Sequence, residues 1–239
     1  MSEDKSNDTV EKATAALNKA LINAVSGNKK ILLLLSGGSS LALPRGIDTS
    51  LLSDNFTISV LDERYSTDPA ENNMAQIMSE DFYTNAIEKG CNFIDTRVRS
   101  GETQDQLADR FNQELTEWLY DNPDGEIIAT VGIGPDGHIS GIMPFPENPS
   151  LFSKFFDKTD RMVVSYDANG KNPYRYRVTT TMNLLRRINT AIVFVSGENK
   201  RGALMSLFDK KGSLAVTPAR ILREKKDFER NLFTDVILK

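Results

Sequence analysis

Residues 31–40 decide the fold, and they are Ile31-Leu32-Leu33-Leu34-Leu35-Ser36-Gly37-Gly38-Ser39-Ser40. Five apolar residues cut off by serine and glycine are typical of a strand that is buried on both faces and ends in a tight loop. The pattern of an apolar run followed by polar or glycine residues recurs at residues 56–61, 127–131 and 191–195. Because strands buried on both faces belong to parallel sheets, the repetition predicts an α/β protein.

Helical stretches are predicted before and between these strands. Apolar residues recur at helical spacing from Val10 to Ala24, whereas residues 1 to about 8 are polar and are expected to be frayed. Residues 103–120 carry one apolar stripe, and Thr103 with Gln106 suits a capping box at its start. The alternation predicts a mostly parallel central sheet flanked by helices, and because no linker or repeat divides residues 1–239, one domain is expected.

The composition excludes several classes of protein. The chain has 239 residues, of which 39% are hydrophobic and 26% charged, and this excludes collagen-like, coiled-coil and disordered proteins. With 29 basic and 33 acidic residues, the net charge of -4 argues against a nucleic-acid or anionic-membrane partner. The single Cys91 excludes an intramolecular disulfide and a cysteine-based zinc site. The polar start and the lack of an apolar run of about 20 residues predict a cytoplasmic protein.

The only histidine of the chain follows a predicted strand, in a loop rich in glycine. Residues 132–140 are Gly132-Ile133-Gly134-Pro135-Asp136-Gly137-His138-Ile139-Ser140, and the first six fit the G-x-G-x-x-G of dinucleotide sites. Such a site needs a helix at the third glycine and an acidic residue after the next strand. Pro144, Pro146 and Pro149 break that helix, and Asp157 precedes the next apolar run instead of following it. The sequence therefore argues against a dinucleotide site.

His138 is the candidate general base. A lone histidine is commonly a surface residue with no role, but three glycines, a proline and an aspartate fix a costly loop shape here. Histidine is the side chain best suited to take up a proton near neutral pH. Asp136 and Asp62 are both candidates for orienting the ring of His138, and the sequence does not choose between them.

The loop after the first strand is a candidate phosphate site. Gly37, Gly38, Ser39 and Ser40 offer backbone N–H groups and hydroxyls, which are the donors that bind phosphate at a helix start. No Gly-Lys-Ser/Thr follows, so a Walker A loop is excluded and a nucleoside triphosphatase is not expected. A plain turn is the alternative interpretation of this segment alone.

Charged side chains follow other predicted strands. Asp62-Glu63-Arg64 follows residues 56–61 and places two carboxylates and a guanidinium at the same edge of the sheet. Arg177 and Lys200 add cations near later strand or helix starts, and such side chains bind phosphate. Charges at strand ends are commonly only solvated, so these residues indicate a site only in combination.

In order and spacing, these segments resemble the 6-phosphogluconolactonase family, within the superfamily that also holds glucosamine-6-phosphate deaminase. The resemblance extends over nearly the whole chain, and the Asp136-Gly137-His138 loop with Pro144 is its most specific part. The matching segments are Gly37-Gly38-Ser39-Ser40, Asp62-Glu63-Arg64 with Asn72-Asn73, residues 132–144, Arg177-Val178-Thr179-Thr180-Thr181, and Gly197-Glu198-Asn199-Lys200.

The resemblance implies a Rossmann-like α/β fold and hydrolysis of 6-phospho-D-glucono-1,5-lactone in the pentose phosphate pathway, with no metal or organic cofactor. His138 would activate the attacking water as general base, while cationic side chains would bind the phosphate and stabilise the oxyanion. By motif match the phosphate-binding or charge-stabilising groups are Gly38, Ser39, Arg64, Arg177 and Lys200. How the three cations divide these tasks stays open. The expected partner is a small sugar-phosphate lactone, with no nucleic acid or membrane, and a monomer is favoured over an oligomer.

Two alternatives remain beside the lactonase. The deaminase branch has a glutamate before the proline, where this chain has Met143, and a thioether moves no protons. Arg64 also agrees with the D-E-R of the lactonases against the D-E-Y of the deaminases. The second alternative is a catalytically silent sugar-phosphate binding protein, against which His138 argues. Three features depart from the family pattern. Ile139-Ser140-Gly141-Ile142-Met143 replaces T-A-S-x-F, and Tyr65-Ser66-Thr67 stands where the family often has x-V-P. The segment between Ser40 and Phe56 is short, which predicts a shortened first crossover helix.

Overall fold

The computed structural model describes residues 2–238, which contain nine strands and seven α-helices. The strands are β1 (Ile31–Leu35), β2 (Phe56–Val60), β3 (Asp62–Arg64), β4 (Asn92–Phe93), β5 (Glu126–Gly132), β6 (Val163–Asp167), β7 (Tyr176–Thr180), β8 (Thr190–Val195) and β9 (Leu232–Thr234). The helices are α1 (Ser2–Ser26), α2 (Asn73–Met78), α3 (Asp81–Glu88), α4 (Gln104–Asp121), α5 (Pro149–Phe152), α6 (Met182–Arg187) and α7 (Arg201–Phe208).

A six-stranded sheet in the order β4-β2-β1-β5-β8-β9 forms the centre of the fold. All of its strand pairs are parallel, which confirms the predicted α/β fold with a parallel sheet. In the register, Leu34 of β1 pairs with Ser59 of β2 on one side and with Ala129 of β5 on the other. The carboxyl ends of these three strands therefore meet at one edge, where the predicted site loops begin.

Both faces of this sheet are covered, which explains why β1 is apolar throughout. Leu32 and Leu34 point to one face and pack in a core with Trp118 of α4. Leu33 points to the other face and packs in a core with Leu21 of α1. Each of these leucines is 0% exposed and Trp118 is 9% exposed. Because successive side chains of a strand point to opposite faces, β1 contributes to both cores.

A second sheet of three antiparallel strands, in the order β3-β7-β6, was not predicted. Asp62-Glu63-Arg64 was predicted only as the polar end of the strand before it, but it forms β3 and leaves the central sheet to pair with β7. The amide of Gln104 in α4 donates to the carbonyl oxygens of Tyr166 and Arg177, both at 2.9 Å, and ties this sheet to the helix. The second sheet thus places β3 and β7 beside the carboxyl edge of the central sheet.

Helix boundaries agree with the sequence in part. The predicted capping box of α4 is confirmed, because the Thr103 hydroxyl accepts from the Gln106 N–H and the Gln106 side chain accepts from the Thr103 N–H. The prediction that α1 starts after residue 8 is wrong: its first residue is Ser2, and Met1 lies outside the described residues. The expectation of a single domain over residues 1–239 stays a prediction.

The crossover between β1 and β2 is short, as predicted. It has three single turns of 3₁₀ helix, at Gly38–Ala42, Pro44–Gly46 and Thr49–Leu51, in place of an α-helix. Across residues 2–238, no helix is both long and apolar enough to pass through a bilayer.

Candidate active site

The predicted site residues come together at the carboxyl ends of β1 and β5, facing the second sheet. They surround a cavity of about 130 Å³ whose wall includes every predicted site residue except Asp136 and Ser40. The lining residues are Ser36, Gly37, Gly38, Ser39, Asp62, Arg64, Asn73, Gly132, Ile133, Gly134, His138, Ser140, Gly141, Arg177 and Lys200. Segments far apart in the sequence therefore build one polar pocket.

Asp136 is the aspartate that holds His138. Its Oδ1 lies 2.6 Å from Nδ1 of the imidazole and 3.1 Å from the His138 backbone nitrogen. Partial burial alone would raise the pKa of Asp136, but the hydrogen bond and charge of His138 outweigh burial and hold that pKa below its usual range. An ionised Asp136 favours the imidazole tautomer with its proton on Nδ1, so Nε2 is left as the basic nitrogen.

The glycines of this loop allow the imidazole to sit where it does. A Cβ on Gly134 would overlap the ring of His138, so only glycine fits there. Gly137 has a φ of +85°, in the left-handed region that glycine adopts without strain. Its N–H donates to the carbonyl of Gly134 at 3.0 Å, closing a tight turn. The G-x-G-x-x-G spacing thus serves a turn around His138, and the next helix, α5, begins only at Pro149.

Asp62 pairs with an arginine and not with the histidine. Its Oδ2 accepts a hydrogen bond from Nη2 of Arg177, and the two residues are 6% and 5% exposed. Gly141, at φ +71°, lies so close that an added Cβ would approach Oδ2 of Asp62 to 2.7 Å. Of the two aspartates that the sequence left open, Asp136 contacts His138 and Asp62 fixes Arg177.

Arg64 has a different environment although it lines the same cavity. Its guanidinium carbon lies 3.9 Å from the centroid of the Tyr174 ring, and its Nη1 donates to the Glu71 carbonyl at 3.3 Å. The buried Nε atoms of Arg64 and Arg177 have no hydrogen-bond partner among the described residues. Arg177 is buried and Arg64 is half-buried, so each unpaired N–H group is costly. Both residues line the cavity, where an anion can bind to a guanidinium group.

Lys200 adds a third cation to the wall. It ends the turn Glu198–Lys200 after β8 and lies at the start of α7. Burial lowers the pKa of Lys200, while the charge of Asp136 partly offsets the effect. The ammonium group therefore lies within electrostatic reach of the Asp136–His138 pair.

The phosphate loop divides into exposed and covered parts. Gly37, Gly38 and Ser39 lie on the cavity wall, whereas Ser40 is 0% exposed. The Ser40 hydroxyl lies beneath Gly132, where an added Cβ would come within 3.0 Å of it. The structure therefore places Ser40 under the wall, and its predicted part in phosphate binding stays a prediction.

Glu63 was missed by the sequence interpretation as a residue that shapes the site. It is 0% exposed, and its carboxylate accepts from the N–H groups of Arg64, Asn73 and Met74 and from the Thr96 hydroxyl, at 2.6 to 3.0 Å. Burial raises its pKa to about 7, against the opposing effect of these donors. Glu63 fixes the start of α2 against β3 and thereby the backbone of Arg64.

Asn73 was also missed. Its Nδ2 donates to the Asp62 carbonyl at 2.8 Å, and its buried Oδ1 has no partner among the described residues. A Cβ on Gly37 would overlap this oxygen, so the first glycine of the phosphate loop lies against Asn73. The family pattern of D-E-R followed by an asparagine was the one signal for Glu63 and Asn73, and nothing in the sequence pointed to Tyr174.

A metal centre has no support in the described part of the chain. No group of three or more histidine, cysteine, aspartate or glutamate side chains there is arranged to hold a metal ion. The described cavity wall carries His138, the carboxylate of Asp62 and the cations of Arg64, Arg177 and Lys200.

Comparison with known sequences identifies relatives over most of the chain. The 6-phosphogluconolactonase of Mycobacterium tuberculosis is 26% identical over 220 residues, which are 86% of this chain and 85% of that protein. The 6-phosphogluconolactonase of Helicobacter pylori is 26% identical over 170 residues, which are 71% of this chain and 67% of that protein.

Solved structures share the fold. A 6-phosphogluconolactonase from Shewanella baltica has a TM-score of 0.70 at 20% identity, over 92% of this chain and 90% of that one. That from Trypanosoma brucei has a TM-score of 0.68 at 18% identity, over 91% and 90%. A family model described as glucosamine-6-phosphate isomerases/6-phosphogluconolactonase matches residues 4–232. Since that match spans nearly the whole chain, the protein belongs to the glucosamine-6-phosphate isomerase/6-phosphogluconolactonase family.

Proposed function

We propose that the protein hydrolyses 6-phospho-D-glucono-1,5-lactone to 6-phosphogluconate, a step of the pentose phosphate pathway. The observation that carries this proposal is an imidazole held by a carboxylate in the same cavity as three cationic side chains. The names of the relatives support the choice of substrate. The buried free thiol of Cys91 fits a reducing compartment, and we propose the cytoplasm as the location.

His138 is the general base of the proposed reaction. Its Nε2 takes a proton from a water molecule as the water oxygen attacks the lactone carbonyl carbon. The tetrahedral intermediate carries the charge on the former carbonyl oxygen. When it collapses, the ring C–O bond breaks and the imidazolium returns the proton to the leaving ring oxygen, so one water is consumed per lactone opened. Proton transfer by a positioned side chain contributes about 10²–10⁴ in rate.

Arg64 and Lys200 supply the charge that the substrate needs. Arg177 is balanced by Asp62, whereas neither Arg64 nor Lys200 has a carboxylate within 4.0 Å among the described residues. A phosphate dianion and a developing oxyanion both require unbalanced positive charge in a partly dry pocket. We assign these two tasks to Arg64 and Lys200, with Arg177 as a fixed N–H donor.

Deamination of an amino sugar phosphate is the alternative within the family, and the structure disfavours it. Met143 is 0% exposed and lies off the cavity wall, with its N–H 3.2 Å from the Tyr166 hydroxyl. No carboxylate occupies the position where the deaminase branch has its glutamate. A silent binding protein is disfavoured as well, because a phosphate site has no need of the His138–Asp136 pair.

The test is acid release from freshly generated 6-phosphogluconolactone, with the spontaneous hydrolysis subtracted. We expect rapid turnover by the wild type and a loss of about 10²–10⁴ in kcat for His138→Ala, because the base is removed. The matched control is Gln113→Ala, at an exposed position of α4 outside the cavity wall. A wild type with no turnover above background would contradict the proposal, and glucosamine 6-phosphate deamination would be tested next.

A further inference from the structure

Two arginines of the cavity face each other across one strand pair. In the antiparallel ladder of β3 with β7, Arg64 lies directly opposite Arg177, and both line the cavity. Like charges in this position destabilise a sheet unless something compensates each of them. The positive charges of Arg64 and Arg177 are compensated in different ways, and this difference indicates a role for a third residue.

Arg177 is compensated by charge and Arg64 is not. The carboxylate of Asp62 pairs with Arg177, which fixes the guanidinium and balances its charge. Within residues 2–238, no described carboxylate lies within 4.0 Å of the Arg64 guanidinium. What lies against it is the face of the Tyr174 ring, 3.9 Å from the guanidinium carbon. An aromatic face attracts a cation through its quadrupole and brings no net charge of its own.

We infer that Tyr174 is the positioning residue of Arg64: its ring fixes the guanidinium at the cavity wall and leaves the full positive charge for an anionic ligand. A carboxylate in the place of the ring would hold the arginine equally well but would compete with the ligand for it. Arg64 can therefore bind an anion with its full charge, whereas the charge of Arg177, opposite it in the strand pair, is already neutralised by Asp62. The inference rests on the proposed function only for the identity of the anion.

The hairpin that carries Tyr174 is built to present the ring. It connects β6 to β7, and the Ala168 N–H donates to the Arg175 carbonyl at 2.7 Å across its base. The Tyr174 N–H donates to the Asn172 side chain at 3.0 Å, which fixes the backbone next to the ring. The Tyr174 hydroxyl makes no hydrogen bond to the described residues, so the face of the ring and not its polar end makes the relevant contact.

The experiment compares Tyr174→Leu with Tyr174→Phe. Leucine keeps an apolar side chain and loses the π face, whereas phenylalanine keeps the face and loses only the hydroxyl. Tyr176→Leu is the matched control, since that exposed ring lies 5.1 Å from the Arg175 guanidinium, away from the cavity wall. The readouts are the dissociation constant of inorganic phosphate, by isothermal titration calorimetry at low salt, and kcat and KM for the lactone.

We expect Tyr174→Leu to weaken phosphate binding by about 3- to 30-fold and to raise KM by a similar factor, with a smaller change in kcat. Tyr174→Phe should stay within about twofold of the wild type in both readouts. Tyr176→Leu should match the wild type. In the Arg64→Met background, adding Tyr174→Leu should cost nothing more, because the ring then has no cation to hold.

The inference is overturned if Tyr174→Leu binds phosphate as tightly as the wild type, if Tyr174→Phe falls as far as Tyr174→Leu, or if the loss persists in the Arg64→Met background. The phosphate titration separates this outcome from a failure of the proposed function. A wild type that hydrolyses no lactone but shows the expected phosphate pattern refutes the lactonase and supports the role of Tyr174. If the wild type hydrolyses the lactone and Tyr174→Leu has the same kinetics and the same phosphate affinity, the lactonase is supported and the role of Tyr174 is refuted.

Discussion

Two aspartates border the histidine loop, and the contacts of each give it a distinct role. Asp136 is exposed and contacts His138, so its replacement should affect chemistry without affecting folding. In Asp136→Asn an amide N–H can face Nδ1, which would place the imidazole proton on Nε2 and block the base. We expect kcat for the lactone to fall by about 10²–10⁴, with the urea unfolding curve unchanged. Turnover equal to that of the wild type would contradict the assignment.

Asp62 should show the reverse behaviour. It is buried against Arg177, and Asp62→Asn would leave a buried guanidinium without its counter-charge. Breaking one side of a buried ion pair costs about 3–5 kcal/mol, so the free energy of unfolding should fall by that amount in urea denaturation followed by circular dichroism. Asp136→Asn is the control. If both variants unfold alike, Asp62 does not hold Arg177 in the way the contact indicates.

Glu63 gives the protein a pH-dependent stability. Its carboxyl ionises near pH 4.5 in the unfolded chain, whereas burial raises the folded-state pKa to about 7. Between these pH values the folded state binds more protons than the unfolded state, so raising the pH lowers the free energy of unfolding. We expect the stability of the wild type relative to Glu63→Gln to fall by on the order of 3 kcal/mol from pH 4.5 to pH 7.5. Urea denaturation at several pH values measures the difference, and parallel curves for the two proteins would refute it.

Among the helices, α4 offers the cleanest test of a single element. The hydroxyl of Thr103 accepts the Gln106 N–H, and the reciprocal bond completes the capping box. Thr103→Ala removes the acceptor and should cost about 1 kcal/mol of stability, whereas Thr103→Ser keeps it and should cost much less. Thr103 lies off the cavity wall, so kcat should stay unchanged in both. An alanine variant as stable as the wild type would show that the box adds nothing in this context.

The sequence predicted the strands that are buried along their whole length. β1 is apolar along its whole length because both faces are buried, and an apolar run is a readable signal. β3 is different: Asp62, Glu63 and Arg64 form a strand because β7 lies beside them, and no local pattern announces a polar strand whose partner is more than a hundred residues away. The start of α1 was misplaced for a related reason, since its first residues are polar and helical spacing is visible only in apolar residues.

The site residues that could be predicted are those whose interacting partners are close to them in the sequence. His138 and Asp136 are two residues apart, and the glycines around them mark a loop whose backbone conformation favours glycine. Tyr174 could not be found in this way, because its importance lies in a contact with Arg64 that only the folding of two strands creates. Glu63 was visible as a charge, but its burial and its donors from α2 were not.

At the scale of the whole molecule, the cavity lies between two sheets and joins them. His138 comes from the central sheet side, whereas Arg64 and Arg177 come from the antiparallel sheet. A ligand that contacts both sides binds only the folded protein, so it should stabilise the fold as a whole. At a concentration of 6-phosphogluconate 100 times its Kd, we expect the free energy of unfolding to rise by about 2.7 kcal/mol. Differential scanning calorimetry with and without product measures this effect.

Arg64→Met is the control for that measurement. It removes one of the unbalanced cations and should shrink the stabilisation at the same concentration of 6-phosphogluconate. An equal rise in Tm for both proteins would mean that the product binds elsewhere on the surface.

His138 on the cavity wall and Trp118 of α4, in the core against the central sheet, are the only histidine and the only tryptophan in the chain. A one-dimensional proton spectrum therefore contains the Hδ2 and Hε1 signals of a single imidazole, which report on the cavity without isotope labelling. Indole fluorescence arises from one site as well, and it reports on packing against the central sheet. The chain carries two natural reporters at two different places, so a loosening of the cavity that precedes global unfolding would change the imidazole signal at constant fluorescence.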